Sequence, residues 1–264
     1  MYDFAYQKPA NVAAAAALLA ADMEAKAMAG GMTLIPVLKQ RLNKPSTVVD
    51  LAGTGMVGIT DDGTTITIGA MTTHAAIAAS AIVQKKIPGL AEQASWIGDN
   101  AVRHRGTMGG SLANNDPSAC YPSAVLALGA TIVTNKREIA ADDYFQGMFT
   151  TALEPDEIIT AIRLPVPEKS AYEKFRNPAS RYAVVGVFVA KFAAGVRVAV
   201  TGAGQGGVFH HKEMEAALSK NFSADAIAGI VTPADGLNSD IHASAEYRAH
   251  LIGVMARRAV ARAR

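Results

Sequence analysis

Two pairs of adjacent glycines are the residues whose type and spacing point most directly to chemistry. Gly30-Gly31 lies in Ala29-Gly30-Gly31-Met32-Thr33-Leu34, and Gly109-Gly110 lies in Arg105-Gly106-Thr107-Met108-Gly109-Gly110-Ser111. Adjacent glycines let backbone amides approach a ligand and adopt positive φ, as a nest around phosphate oxygens requires. Thr33, Thr107 and Ser111 add hydroxyl donors beside those amides. Together the two loops could clamp a pyrophosphate from both sides; either pair alone reads more simply as a tight turn. A third cluster, Gly202-Ala203-Gly204-Gln205-Gly206-Gly207, fits the G-x-G-x-x-G pattern after a strand. The acidic residue that should end a second strand about 20 positions later is missing, since Asp225 falls at a helix start. This third cluster therefore reads as a glycine-rich loop. No glycine precedes Lys-Ser or Lys-Thr, so the phosphate loop of kinases and ATPases is absent.

Other reactive side chains offer less. A single cysteine, Cys120, excludes a disulfide framework and an iron–sulfur cluster held by this chain alone, which needs about four thiolates. His242, Glu246 and His250 would share a helix face, but three ligands over two turns chelate poorly, and a solvated face is the simpler reading. No metal site and no catalytic residue are expected. Arg103-His104-Arg105 serves equally as electrostatic support for a bound anion or as a solvated or subunit-contacting surface. Asn114-Asn115-Asp116 suits a turn and, in addition, contact with ligand hydroxyls. Trp96, the only tryptophan, reads as core packing.

The elements that must position these groups follow from patterning. A helix is expected from Val12 to about Met28, opened by Asn11, and it accounts for the apolar run Val12–Ala21 better than a signal peptide does. Strands are expected at Thr47–Leu51 and Gly63–Gly69, the latter entered through an Asp61-Asp62-Gly63 turn, with helices from His74 and Leu90. Asn100 to Pro122 reads as a long irregular loop, of the kind that usually carries function. After Pro165-Val166-Pro167, Tyr182–Phe192 and Gly195–Val200 read as a hairpin, followed by helices. The fold class expected is α+β, with segments 1–55, 56–167 and 168–264. Half the residues are apolar and the net charge is +2, which suits a globular protein and argues against nucleic acid as the main partner. No membrane span is expected, and the cytoplasm is the expected compartment.

The ordered set of motifs resembles a known family. Ala29–Pro36, Val49-Asp50-Leu51, Ile68–Thr73, Val102–Pro117 and Ile162-Arg163-Leu164-Pro165 are together similar to the FAD-binding medium subunits of molybdenum hydroxylases, the carbon monoxide dehydrogenase, aldehyde oxidoreductase and xanthine dehydrogenase family. The resemblance implies two α/β FAD-binding subdomains of the vanillyl-alcohol oxidase (PCMH) type and a C-terminal sheet-and-helix subdomain. It implies that Ala29, Gly30, Gly31, Met32, Thr33 and Leu34, with Thr107, Met108, Gly109, Gly110 and Ser111, wrap the FAD pyrophosphate. It further implies Ile97 and Gly98 against the flavin ring, Ile159 near the adenine, Lys174 reaching the cofactor, Tyr182 bordering the flavin, and Asn114, Asp116 and Cys120 near cofactor hydroxyls. Many relatives have aspartate where this chain has Cys120, and a thiol is a poorer hydrogen-bond partner. The implied role is electron transfer, with the molybdenum cofactor on a large subunit, two [2Fe–2S] clusters on a small one, and a dimer of heterotrimers. The alternative is a self-sufficient FAD-dependent oxidase or dehydrogenase.

Overall fold

The computed structural model describes residues 1–264. The chain opens with β1 (Ala5–Gln7), α1 (Val12–Ala21), β2 (Lys26–Met28), α2 (Leu34–Lys39) and β3 (Thr47–Asp50). The three strands form a parallel sheet in the order β1-β3-β2. Asn11 caps α1 by accepting the Ala14 N–H at 2.8 Å. The helix expected to run to Met28 stops at Ala21, because the Asp22 carboxylate takes the Glu24 N–H and the Ser46 hydroxyl. Lys26–Met28 then pair with Val48–Asp50, so strand pairing overrides helix propensity.

A second sheet follows, built from β4 (Ile59–Asp61) and β5 (Thr65–Gly69), and later from β6 (Thr131–Thr134), β7 (Glu138–Ala140) and β10 (Ile159–Pro165). Its order is β4-β5-β10-β6-β7 and all its pairings are antiparallel. Between β5 and β6 run α3 (His74–Ala79), α4 (Ala81–Lys86), α5 (Pro88–Ser95), α6 (Asn100–Arg105), α7 (Met108–Asn114) and α8 (Tyr121–Ala127). The expectation of an irregular Asn100–Pro122 loop is thus corrected. Asp99 caps α6 through the Val102 N–H, Thr107 caps α7 through the Gly110 N–H, and Gly106 separates the two helices. Residues that look like loop formers in sequence act here as helix caps. Met108, Leu112, Tyr121 and Val125 are fully buried in the same apolar cluster as Ile68 and Ile162. Burying each such side chain contributes about 1.5–3 kcal/mol.

Between β7 and β10 lie α9 (Ala141–Tyr144) and the small hairpin β8 (Phe145–Gly147) and β9 (Thr150–Thr151). The third sheet, β11 (Lys169–Arg176), β12 (Ala183–Phe192), β13 (Gly195–Thr201) and β14 (Phe209–His210), is an antiparallel meander. The helices α10 (Lys212–Lys220) and α11 (Ala245–Arg262) complete the chain, with a short 3-10 turn, Ala224–Ile227, between them. Helix α5 lies directly on β11: a Cβ on Gly89 would be 2.9 Å from the Ala171 backbone. His210 bridges the carboxylates of Asp142 and Glu215, and Arg197 pairs with Asp142, tying the third sheet to α9.

Candidate functional site

A cleft of about 590 Å³ opens where the three sheets meet. It is lined by the β2–α2 loop, the α5–α6 turn, α7, the start of β10 and the β11–β12 hairpin. Of the nineteen residues singled out in sequence, eighteen line this one cleft. Met108 is the exception; it is fully buried beneath the wall.

The two glycine loops face each other but differ in what they offer. Five consecutive backbone N–H groups, Ala29 to Thr33, make no hydrogen bond within the chain. Gly31 adopts φ +74°, which favours glycine. A Cβ at Gly30 would collide with the carbonyl of Arg105 and lie 2.6 Å from its carbon. The loop therefore rests on bare backbone with its amides left for a ligand, the arrangement an anion nest needs.

At Thr107–Ser111 the expected second nest is not found. The N–H groups of Met108 and Gly109 donate to the Thr72 and Ala70 carbonyls at 3.1 and 2.9 Å. The Gly110 N–H donates to Thr107 Oγ1 at 3.1 Å, and the Ser111 N–H to the Thr107 carbonyl at 3.1 Å. The glycines here serve close packing: a Cβ on Gly109 would lie 2.6 Å from Ala70 Cβ, and one on Gly110 would lie 3.0 Å from Ala29 Cβ. What this loop presents is side-chain hydroxyl, from Thr107 and Ser111.

Under the second loop sits His74, which sequence reasoning passed over because Thr73-His74 reads only as a helix start. Its backbone N–H donates to the Gly106 carbonyl at 3.0 Å, and its ring packs on Tyr121 at 5.2 Å. Burial, assisted by the charge of Arg103, lowers its pKa to about 4, so the imidazole is neutral near pH 7. Its Nδ1 has no partner. The cleft thus holds both unclaimed amides and an orphaned ring nitrogen, and this donor set fits a large polar cofactor with an anionic centre.

The remaining candidates divide. Ile97 and Gly98 form a turn that Arg103 locks from behind, donating to the Ile97 carbonyl at 3.0 Å and to Asn100 Oδ1 at 2.6 Å. His104 Nδ1 lies 2.8 Å from the Asn100 carbonyl, and none of the Arg103-His104-Arg105 triplet lines the cleft. Asn115, at φ +43°, shapes a turn by donating to the Gly147 and Thr150 carbonyls, each at 2.8 Å. Asn114 and Asp116 line the cleft, and Asp116 also accepts the Ser118 N–H at 2.8 Å.

Ile159 begins β10 beside Glu157, a carboxylate that burial alone would raise. Hydrogen bonds from Arg137, the Glu154 N–H and Thr134 overcome that and hold it at about 2. Lys174 reaches the cleft wall with its donors spent inside the chain, on the Trp96 and Arg181 carbonyls at 2.9 Å each and on Cys120 Sγ at 3.4 Å. Tyr182 stands half exposed at the rim.

Other motifs fall outside. Gly202 donates to the Pro117 carbonyl and Gln205 to that of Gly236, so the third glycine cluster is packed against neighbouring chain. His242 precedes α11 and does not share a helix face with Glu246 and His250. Trp96 packs on Tyr172 at 6.1 Å. No helix is long and apolar enough to cross a membrane.

Comparison with known proteins agrees with this geometry. Residues 2–167 match the family model described as the FAD binding domain in molybdopterin dehydrogenase. The chain is 36% identical to the carbon monoxide dehydrogenase medium chain of Afipia carboxidovorans, over 99% of this chain and 96% of that one. It is 35% identical to the nicotine 6-hydroxylase medium subunit of Paenarthrobacter nicotinovorans, over 98% and 96%. Among solved structures, reconstituted CO dehydrogenase from Oligotropha carboxidovorans superposes with a TM-score of 0.89 at 35% identity, covering 99% of this chain and 97% of that one. Quinoline 2-oxidoreductase from Pseudomonas putida 86 gives 0.89 at 28% identity, covering 98% and 96%.

Proposed function

The chain belongs to the family of FAD-binding domains of molybdopterin dehydrogenases, and from that premise we propose that it is the electron-transfer medium subunit of a molybdenum hydroxylase. It takes electrons from [2Fe–2S] clusters of a small subunit and passes them to an external acceptor. The molybdenum-cofactor large subunit carries the substrate chemistry, and the complex is a dimer of heterotrimers in the cytoplasm.

The observation that carries this is the run of free amides from Ala29 to Thr33, set across one cleft from the Thr107 and Ser111 hydroxyls. In the proposed site these amides hold the FAD pyrophosphate, assisted by the two hydroxyls. Ile159, whose position the Glu157–Arg137 pair secures, would contact the adenine end. Ile97, Gly98 and Tyr182 would hold the flavin end, and Asn114, Asp116 and Cys120 would contribute polar contacts to the cofactor. Lys174 acts from the wall: by bonding the Trp96 and Arg181 carbonyls it fixes the hairpin that carries Tyr182 over the cleft. FAD supplies the electron chemistry when bound, while the chain supplies position, charge and access.

The test is gentle purification from the native host, a visible spectrum and assays for molybdenum and iron. Bound flavin with both metals in a three-chain complex is the expected result. Flavin with neither metal nor partner would move the assignment to a self-sufficient flavoenzyme.

A further inference from the structure

Cys120 has a chemical setting that goes beyond its proposed place beside the cofactor. It is 6% exposed on the cleft wall, and its sulfur accepts a hydrogen bond from the 8% exposed Lys174 at 3.4 Å. A third group converges on it. The Tyr172 hydroxyl is fully buried and has no hydrogen-bond partner, and it lies close enough to Cys120 that the thiol, after burial itself, raises its pKa. Gly186 makes the room, since a Cβ there would strike that hydroxyl. An unpartnered buried donor beside a sulfur is poised to receive an oxygen atom placed on it. No second cysteine exists in the chain, so an oxidised Cys120 cannot close an internal disulfide. The nitrogen of Lys174 is already in contact with that sulfur, and it becomes a nucleophile once it loses a proton.

We propose that Cys120 and Lys174 form a peroxide-responsive site that closes a reversible sulfur–nitrogen cross-link. In the first step the thiol sulfur attacks hydrogen peroxide and the O–O bond breaks. Sulfur is oxidised by two electrons to the sulfenic acid, and the other oxygen leaves as water. In the second step Lys174, having given its extra proton to water, attacks that sulfur. The S–O bond breaks, and the hydroxyl leaves as water with a proton from nitrogen. The link contains two hydrogens fewer than thiol and amine together. A thiol reductant restores both. The Tyr172 hydroxyl donates to the sulfenic oxygen before it departs.

The structural consequence follows from what Lys174 holds. Closing the link removes its charge and diverts its nitrogen from the Trp96 and Arg181 carbonyls. Arg181 sits at φ +63°, a conformation that persists only while its surroundings enforce it. The hairpin carrying Tyr182 therefore loosens, and the cleft wall opens. The chemistry needs only these three side chains and peroxide.

The test is to treat the protein, in whatever complex it purifies, with hydrogen peroxide and map its peptides without reduction. The expected product joins the peptide of Cys120 to that of Lys174, lighter by two hydrogens than their sum and separated again by a thiol reductant. Lys174→Arg keeps a cationic donor but cannot close the link. That variant should increase trapping of the Cys120 sulfenic acid by a cyclic diketone severalfold. Should it fail to fold, Cys120→Asp serves, and must abolish the linked peptide. A free Cys120 thiol in native protein whose exposed Met23 is already sulfoxide would overturn the proposal, as would unlinked sulfinic acid.

Discussion

The two glycine loops carry the same dipeptide beside hydroxyl residues, yet they do opposite work. At Ala29–Thr33 the amides are left free, and the glycine at 30 lets the loop lie on the Arg105 backbone. At Thr107–Ser111 the amides are consumed by Thr72, Ala70 and Thr107, and the glycines let α7 approach Ala70 and Ala29. One loop donates backbone to a ligand, and the other donates closeness to its neighbour. An adjacent-glycine pair thus marks a place where backbone is approached, while the hydrogen-bond ledger decides what approaches it.

The largest contrast should come from Gly30→Ala. Its Cβ would meet backbone that has no flexible end to move, so a cost of about 3 kcal/mol or more is expected. FAD should also be lost from whatever fraction folds, as read by melting temperature and flavin content together. A folded Gly30→Ala protein with full flavin would break the contrast between the loops.

Acid should undermine the second loop through His74. Its folded pKa of about 4 lies below the ordinary 6.5, so the unfolded chain binds the proton first as pH falls. Stability is then lost between those two values, by on the order of 3 kcal/mol in all. His74→Gln should flatten that slope in urea titrations of the flavin-free protein. A slope of equal size in the variant would place the acid response elsewhere.

Gly109→Ala sharpens the comparison further. Overpacking against Ala70 should cost about 1–3 kcal/mol of stability. FAD affinity of the folded fraction should hardly change, because no free amide is disturbed. The smallest effect is expected at Gly110→Ala, where the new methyl presses on Thr107 Oγ1 and Ala29 Cβ. A gain of about 1 kcal/mol in helix propensity offsets the crowding, so the melting temperature stays put. The slight spreading of the loops should weaken FAD binding roughly tenfold, about 1.4 kcal/mol. Isothermal titration with FAD separates these two variants.

Much of this was legible in the sequence where causes are local. The β-branched runs gave strands, Asn11 and Thr73 gave caps, and the glycine pairs gave the cleft. The misreadings have long-range causes. Lys26–Met28 becomes strand because β3 offers an edge, and Asn100–Asn114 becomes helical because Asp99 and Thr107 cap rather than loop. Which loop keeps its amides depends on carbonyls of Ala70 and Thr72, more than 30 residues away from the first loop. Lys174, suited by type to reach an anion, instead finds Trp96, Arg181 and Cys120, all distant in sequence.

The most direct test of the account is amide hydrogen exchange of the purified protein with and without FAD. Without cofactor, Gly30 to Thr33 should exchange fast while Gly109 and Gly110 are already protected. Added FAD should slow the first set strongly and leave the second nearly unchanged. Protection gained mainly at Gly109 and Gly110, with Gly30 to Thr33 unaffected, would contradict the assignment of the first loop as the cofactor's amide nest.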